Sequence, residues 1–174
     1  MKKLSAANQL HAAVQCSQQL LADLHAAAGE QQHSSSKHSS VDLLLGAGLN
    51  VIICTCKLRR DVLGSLQSIN QATEAVLGVL MQKQGKAAAQ HADVLCEYLL
   101  QLTVMAGKEA GAAAAEAAAA RGDLSLLLAH LLAAVTLSSH PSAVEQVIAR
   151  AAAALPDALK HLVPEAAGGL RPDR

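Results

Sequence analysis

Four side chains in the first third of the chain have the types of a metal site. His33 and His38 are separated by four residues, and Cys54 and Cys56 by one. Zinc takes imidazole nitrogens and thiolates in fours, and H-x₄-H is an accepted half of such a site. The second half is the weak part. If the segment around Cys54 is helical, positions two apart point about 200° away from each other, and both thiols reach one ion only if the segment is extended. The competing reading is two small packing thiols and two loop histidines, and it is the one adopted: no metal, cofactor or catalytic residue is assigned, and His33, His38, Cys54 and Cys56 stand as the alternative.

Other candidate chemistry is thinner. Cys16 and Cys96 fall in helical patterns, and His91, five residues before Cys96, misses same-face spacing for a base. Gly46-Ala47-Gly48 starts like a dinucleotide fingerprint, but its sixth position is Val51 and no βαβ pattern surrounds it. Those glycines are read as permitting close helix contact. Arg121-Gly122-Asp123 reads as a helix end followed by a new cap. Lys57, Arg59 and Arg60 read as a solvated cluster. His130, alone in an apolar helix, is read as a core histidine.

These side chains must be carried by helices. Ala occupies 37 positions and Leu 29, and Tyr98 is the single aromatic; the two dominant types are strong helix formers. Without aromatics there is no stacking platform for bases. A net charge of zero shows no basic excess for nucleic acid. The start of the chain, M-K-K-L, is followed by Asn8, Gln9, His11 and Gln15, which break the apolar stretch a signal peptide needs. Reduced thiols in the cytoplasm, or in the nucleus, are therefore expected.

Apolar spacing predicts about seven helices. The first covers 4–29, with Leu10, Val14, Leu21 and Leu24 on one stripe. Residues 30–40, rich in Ser and His, are expected to form a flexible loop, with Ser40 capping a helix over 41–57. In that helix the run 43–56 is 14 uncharged residues, short of the roughly 20 a membrane span requires, and apolar on all faces, as befits a core helix. Its β-branched run, V-I-I, is where a strand competes most strongly with the helix. A third helix over 61–83 has Val62, Leu66, Ile69, Thr73, Val76 and Leu80 at spacings of three and four. A fourth over 86–106 has Ala88, Ala92, Leu95, Leu99, Leu102 and Ala106, with a turn expected at Gly107 and Gly111. The alanine run 112–120 follows, then a helix to 137 with Leu124, Leu128, Leu131 and Val135. Ser142 and Glu145 spell a capping box for the last helix, which Pro156 should kink or restart. The tail 165–174 is expected to be disordered.

The domain organisation that follows is an N-terminal helix over 1–29, a loop over 30–40, a helical core over 41–164 and the tail. The fold class is all-α: an array of antiparallel helical hairpins, either an irregular bundle or a short solenoid. The hairpin succession with its proline-broken last helix resembles irregular HEAT-type solenoids, although no fixed repeat period recurs. Function follows by elimination. Low charge, abundant apolar stripes and no converging catalytic groups point to a non-enzymatic scaffold or interaction module. It would bind a partner helix or a second copy through apolar helix faces, with no nucleic acid and no membrane span. Two alternatives are a portion of a larger helical-repeat transport or assembly factor, and a small metal-binding or enzymatic protein using the 33–56 cluster.

Overall fold

The computed structural model describes residues 2–30, 37–59, 61–83 and 85–163. Among these there are seven α-helices and no strand: α1 (Lys2–Glu30), α2 (Lys37–Leu58), α3 (Val62–Gln82), α4 (Lys86–Ala112), α5 (Ala114–Ala119), α6 (Arg121–Leu137) and α7 (Val144–Ala154). Short 3-10 turns at Pro141–Ala143 and Asp157–Leu159 flank α7.

The apolar stripes became the core. All six stripe positions of α3, Val62 through Leu80, are buried, as are Leu124, Leu128, Leu131 and Val135 of α6. On α4 the stripe is buried at Ala92, Leu95, Leu99, Leu102 and Ala106, and half-buried at Ala88. The β-branched run is helix throughout, and Val51 and Ile52 are fully buried within α2. β-propensity is a weak preference that packing overrides, and a helix buried on most sides tolerates Val and Ile well. Three buried threonines, Thr55, Thr73 and Thr103, donate to the carbonyls of Val51, Ile69 and Leu99 at 2.8, 2.7 and 2.9 Å. Bonding back one turn satisfies each hydroxyl inside the core at no cost in partners.

The helices form two layers. α1, α3 and α6 make one, α2, α4 and α7 the other, and the chain passes from one layer to the other as it advances, with α5 a short insert. Helices successive along this path are antiparallel: Asp42 of α2 pairs with Lys83 at the far end of α3. Helices within a layer are parallel. Asp42, Leu45 and Leu49 of α2 lie beside Ala87 and His91 of α4, while Cys56, two turns on from Leu49, bonds Gln101. In the other layer, the Asn70 side-chain amide of α3 donates to the Asp123 carbonyl of α6 at 2.8 Å.

Glycine lets two pairs of helices approach. A Cβ on Gly107 would lie 2.1 Å from the backbone oxygen of Ala154, and one on Gly48 would lie 2.5 Å from Val76 Cγ2. Gly107 is therefore a packing position where α7 closes on α4, and the turn expected at Gly107 and Gly111 does not form: α4 runs on to Ala112. Gly48 takes the close-contact role expected of it, whereas Gly46 is exposed with open space around it.

Four further expectations are corrected. Residues 37–40, assigned to a loop, begin α2, so Ser40 lies inside a helix and not at its cap; residues 31–36 of that loop lie outside the described residues, as does the tail. The alanine run is broken at Ala113, whose φ of −134° and ψ of 76° leave the helical region, because the chain must reverse there between antiparallel α4 and α6. Gly122 and Asp123 fall inside the first turn of α6, which starts from Ala120. Finally, Ser142 sits in a 3-10 turn and α7 starts from Ala143 with no side-chain cap; Ser138 and Asp93 hold this corner instead, accepting from the amides of His140 and Ser139 at 3.1 and 2.9 Å. Pro156 does end the last helix: α7 stops at Ala154 and a 3-10 turn restarts the chain.

Candidate functional cleft

Of the four residues weighed as an alternative metal site, the three described ones are not brought together. His38 belongs to α2, sixteen residues before Cys54, which is about 24 Å along a helix axis. His33 lies outside the described residues. Cys54 and Cys56 share the helix two positions apart, on diverging directions, and both are buried. Among the described residues no three His, Cys, Asp or Glu side chains gather in a metal-binding group.

The structure places a different site on the layer of α2, α4 and α7. A cleft of about 870 Å³ runs along α4 between the end of α2 on one side and α7 with the corner before it on the other. Its long wall is a stripe on α4: Asp93, Glu97, Gln101, Val104 and Lys108, spaced by fours and a three so that they share one helix face. Over fifteen residues that face is about 22 Å long. Val104, Met105 and Val147 give the cleft an apolar floor, and Arg59, Lys108 and Arg150 stand at its edge.

Much of the polar lining already holds backbone in place. Asp93 accepts the Ser139 amide at the corner before α7. Glu109 accepts the Leu63 amide at 2.9 Å and so caps α3 from across the structure. Asp61 caps the same helix locally, accepting from the Gly64 amide at 3.2 Å. Unpaired amides in a first helical turn attract carboxylates in this way.

Two thiols face the cleft from opposite helices. The Cys56 thiol donates to Gln101 Oε1 at 3.2 Å. Burial pushes its pKa up, Arg59 opposes and Glu97 adds to the rise. The Cys96 pKa is raised as well, by burial first and Asp93 second, against Arg150. A thiol held protonated is a poor nucleophile and a poor metal ligand. His130, also read as a core histidine, is half-buried on α6, with Nδ1 buried and unpartnered; burial lowers its pKa and Glu74 partly offsets the effect.

Cys56, Arg59 and Cys96, each notable in the sequence, line this cleft together. The sequence singles out none of Asp93, Glu97, Gln101, Lys108, Glu109 and Arg150. The available signal was the polar stripe opposite the apolar stripe of α4, which reads as an ordinary solvated face until α7 is seen to wall it.

These features define an all-α array with a lined cleft. No family model, curated protein or solved structure matches the chain. No helix among the described residues is long and apolar enough to cross a membrane.

Proposed function

We propose that this chain is a non-enzymatic interaction module whose α4 cleft receives a segment of a partner protein. The observation that carries the reading is the cleft itself, about 870 Å³, extending along one helix face with an apolar floor and a polar edge. Elongated grooves of this kind suit a helix or an extended peptide, whose side chains anchor in the floor. The chemistry of the lining supports binding over catalysis. Asp93 and Glu109 are tied to backbone amides, and burial raises the pKa of both thiols, which makes them poor nucleophiles. A cytoplasmic or nuclear setting belongs to this proposal and rests on the composition and the four free thiols.

A photo-crosslinking residue at Gln101, inside the cleft, tests the reading against one at Gln71, on the opposite layer. Protein adducts should form from position 101 and be absent or fewer from position 71. The reverse pattern refutes the proposal. Sedimentation of the purified chain separates the two classes of occupant: a dimer abolished by Val104→Trp makes the occupant a second copy.

A second reading has its own observation. Parallel stacking within each layer is the arrangement that helical-repeat arrays propagate, so the chain would serve as one portion of a longer scaffold. Co-expression with flanking chain, where a transcript encodes it, should then protect the outer face of α7 from hydrogen exchange; unchanged exchange there refutes it.

A further inference from the structure

We infer that the seam between α3 and α6 is a proton-sensitive joint: when His130 takes up a proton, α6 loosens from α3 ahead of any global unfolding. The joint lies in the layer opposite the α4 cleft and does not depend on what the cleft binds.

Among the described residues two side-chain polar atoms are buried without a hydrogen bond, Asn70 Oδ1 and His130 Nδ1, and both belong to this seam. Asn70 is buried on α3. Its Nδ2, bonded to the Asp123 carbonyl, makes the one side-chain hydrogen bond that crosses from α3 to α6 among the described residues. His130 lies seven residues after Asp123, and Leu77 seven after Asn70, about two helical turns in each case. In parallel neighbours this sets His130 at the height of buried Leu77. Buried polar groups in folded proteins are paired as a rule, so two orphans on one seam single it out within the core.

His91 on α4 shows the ordinary solution: its Nδ1 donates to the Ala87 carbonyl, one turn back, at 2.7 Å. His130 Nδ1 makes no such bond. A neutral imidazole carries one donor and one acceptor, and a protonated one carries two donors and a charge. Protonation therefore places an N–H and part of a positive charge at a buried site with no acceptor. That costs more than leaving a neutral nitrogen bare.

The surroundings do not offset that cost. Helices α3, α4, α5 and α7 pack on α6, and the one charged group among them that acts on His130 is Glu74 of α3. Glu74 is exposed and forms no ion pair with the imidazole, so water screens its attraction. Burial outweighs it, and His130 takes a proton less readily than a free histidine. With α6 moved off α3, water solvates the imidazolium, and its pKa returns to the ordinary 6.5. The loosened state therefore binds the proton more tightly. Its population is smallest above about pH 6.5 and rises as pH falls below it.

The test introduces a thiol at the seam, Leu77→Cys in the full chain. Its labelling by dithiodipyridine is followed at about pH 7.5 and 5.5, each rate divided by that of the urea-unfolded chain at the same pH. Accessibility of the introduced thiol should rise by up to about ten-fold between the two, the limit for one proton with an ordinary pKa of about 6.5. His130→Gln in the same background cannot take the proton and should abolish the rise. Sub-denaturing urea separates local from global opening, because only global opening exposes the whole core; the rate at the lower pH should stay nearly flat in it. If Leu77→Cys loses the helical circular dichroism of the wild type, hydrogen exchange of α6 amides in the unmodified chain and in His130→Gln is read under the same conditions, with the same expectations. No rise, a rise that His130→Gln keeps, or a rate that climbs with urea as steeply as global unfolding overturns the proton-sensitive joint.

Discussion

Replacing Gly107 with alanine should destabilise the protein, against the rule that alanine improves a helix. Gly107 lies in the interior of α4, where exchanging glycine for alanine is worth about 1 kcal/mol in favour of the helix. The added Cβ, however, would sit 2.1 Å from the Ala154 oxygen and 3.0 Å from its carbonyl carbon. Carbon and oxygen need a separation above about 3 Å, so α7 must retreat by about 1 Å. The atoms it would meet are all backbone, and no side-chain rotation relieves them. Overpacking costs about 1–3 kcal/mol; a clash this close with backbone falls in the upper part of that range, about 2–3 kcal/mol, and after the helical gain of about 1 the net loss is about 1–2 kcal/mol. For a chain of this size that is a fall in melting temperature of about 2–8 °C. Gly111→Ala, four residues along the same helix, meets nothing within 4 Å and should raise stability by about 0.5–1 kcal/mol. Urea unfolding followed by circular dichroism measures both. The opposite signs are the prediction; a Gly107→Ala variant as stable as Gly111→Ala would mean that α7 does not pack on α4 as described. Because α7 is one wall of the cleft, Gly107→Ala should also weaken binding of any groove ligand.

Three other outcomes follow from the same contacts. Arg59→Gly relieves the positive φ and should stabilise the chain by up to about 1 kcal/mol; a loss of stability as large as that of Lys57→Gly, inside the helix, would refute it. Burial depresses the His130 pKa below its ordinary 6.5, so the unfolded chain takes up a proton first as pH falls. Stability should be full above about pH 6.5 and decline below it, and His130→Leu should flatten that decline; urea midpoints at pH 7.5 and 5 that shift equally in both proteins would count against it. Among the thiols, exposed Cys16 should react with Ellman's reagent well before buried Cys54 and Cys56 or half-buried Cys96, and equal rates for Cys16 and Cys56 in the native protein would contradict the burial that raises the Cys56 pKa.

The helices were legible wherever a side chain had volume to bury. Val62 to Leu80 repeat at threes and fours, and every one of those positions is buried. The segments that misled are those where local preference and tertiary need disagree. The alanine run 112–120 has the strongest helix propensity in the chain and the least to bury, so it breaks at Ala113 and Ala120 where the path requires a reversal. Ser142 and Glu145 had the right spacing for a capping box. The corner was instead secured by Ser138 and by Asp93, the latter 46 residues from its partner and invisible to local pattern. Of the candidate metal ligands, His38 stands about 24 Å along the helix from Cys54 because α2 starts before it, a start that the polar stretch around it did not signal.

What the sequence determined by itself is the all-α class, the buried faces of α3, α4 and α6 and the proline that ends the last helix, because these are set by local periodicity and covalent geometry. Only the tertiary structure decided that the helices stack as two layers, that Gly107 is a contact and not a turn, and that Arg59, Lys108 and Arg150 share one cleft. Arg59 follows the end of α2, Lys108 lies on α4 and Arg150 on α7, as many as 91 positions apart. Their meeting depends on how closely α7 can approach α4, which in turn depends on a missing Cβ. No spacing along the chain encodes that distance.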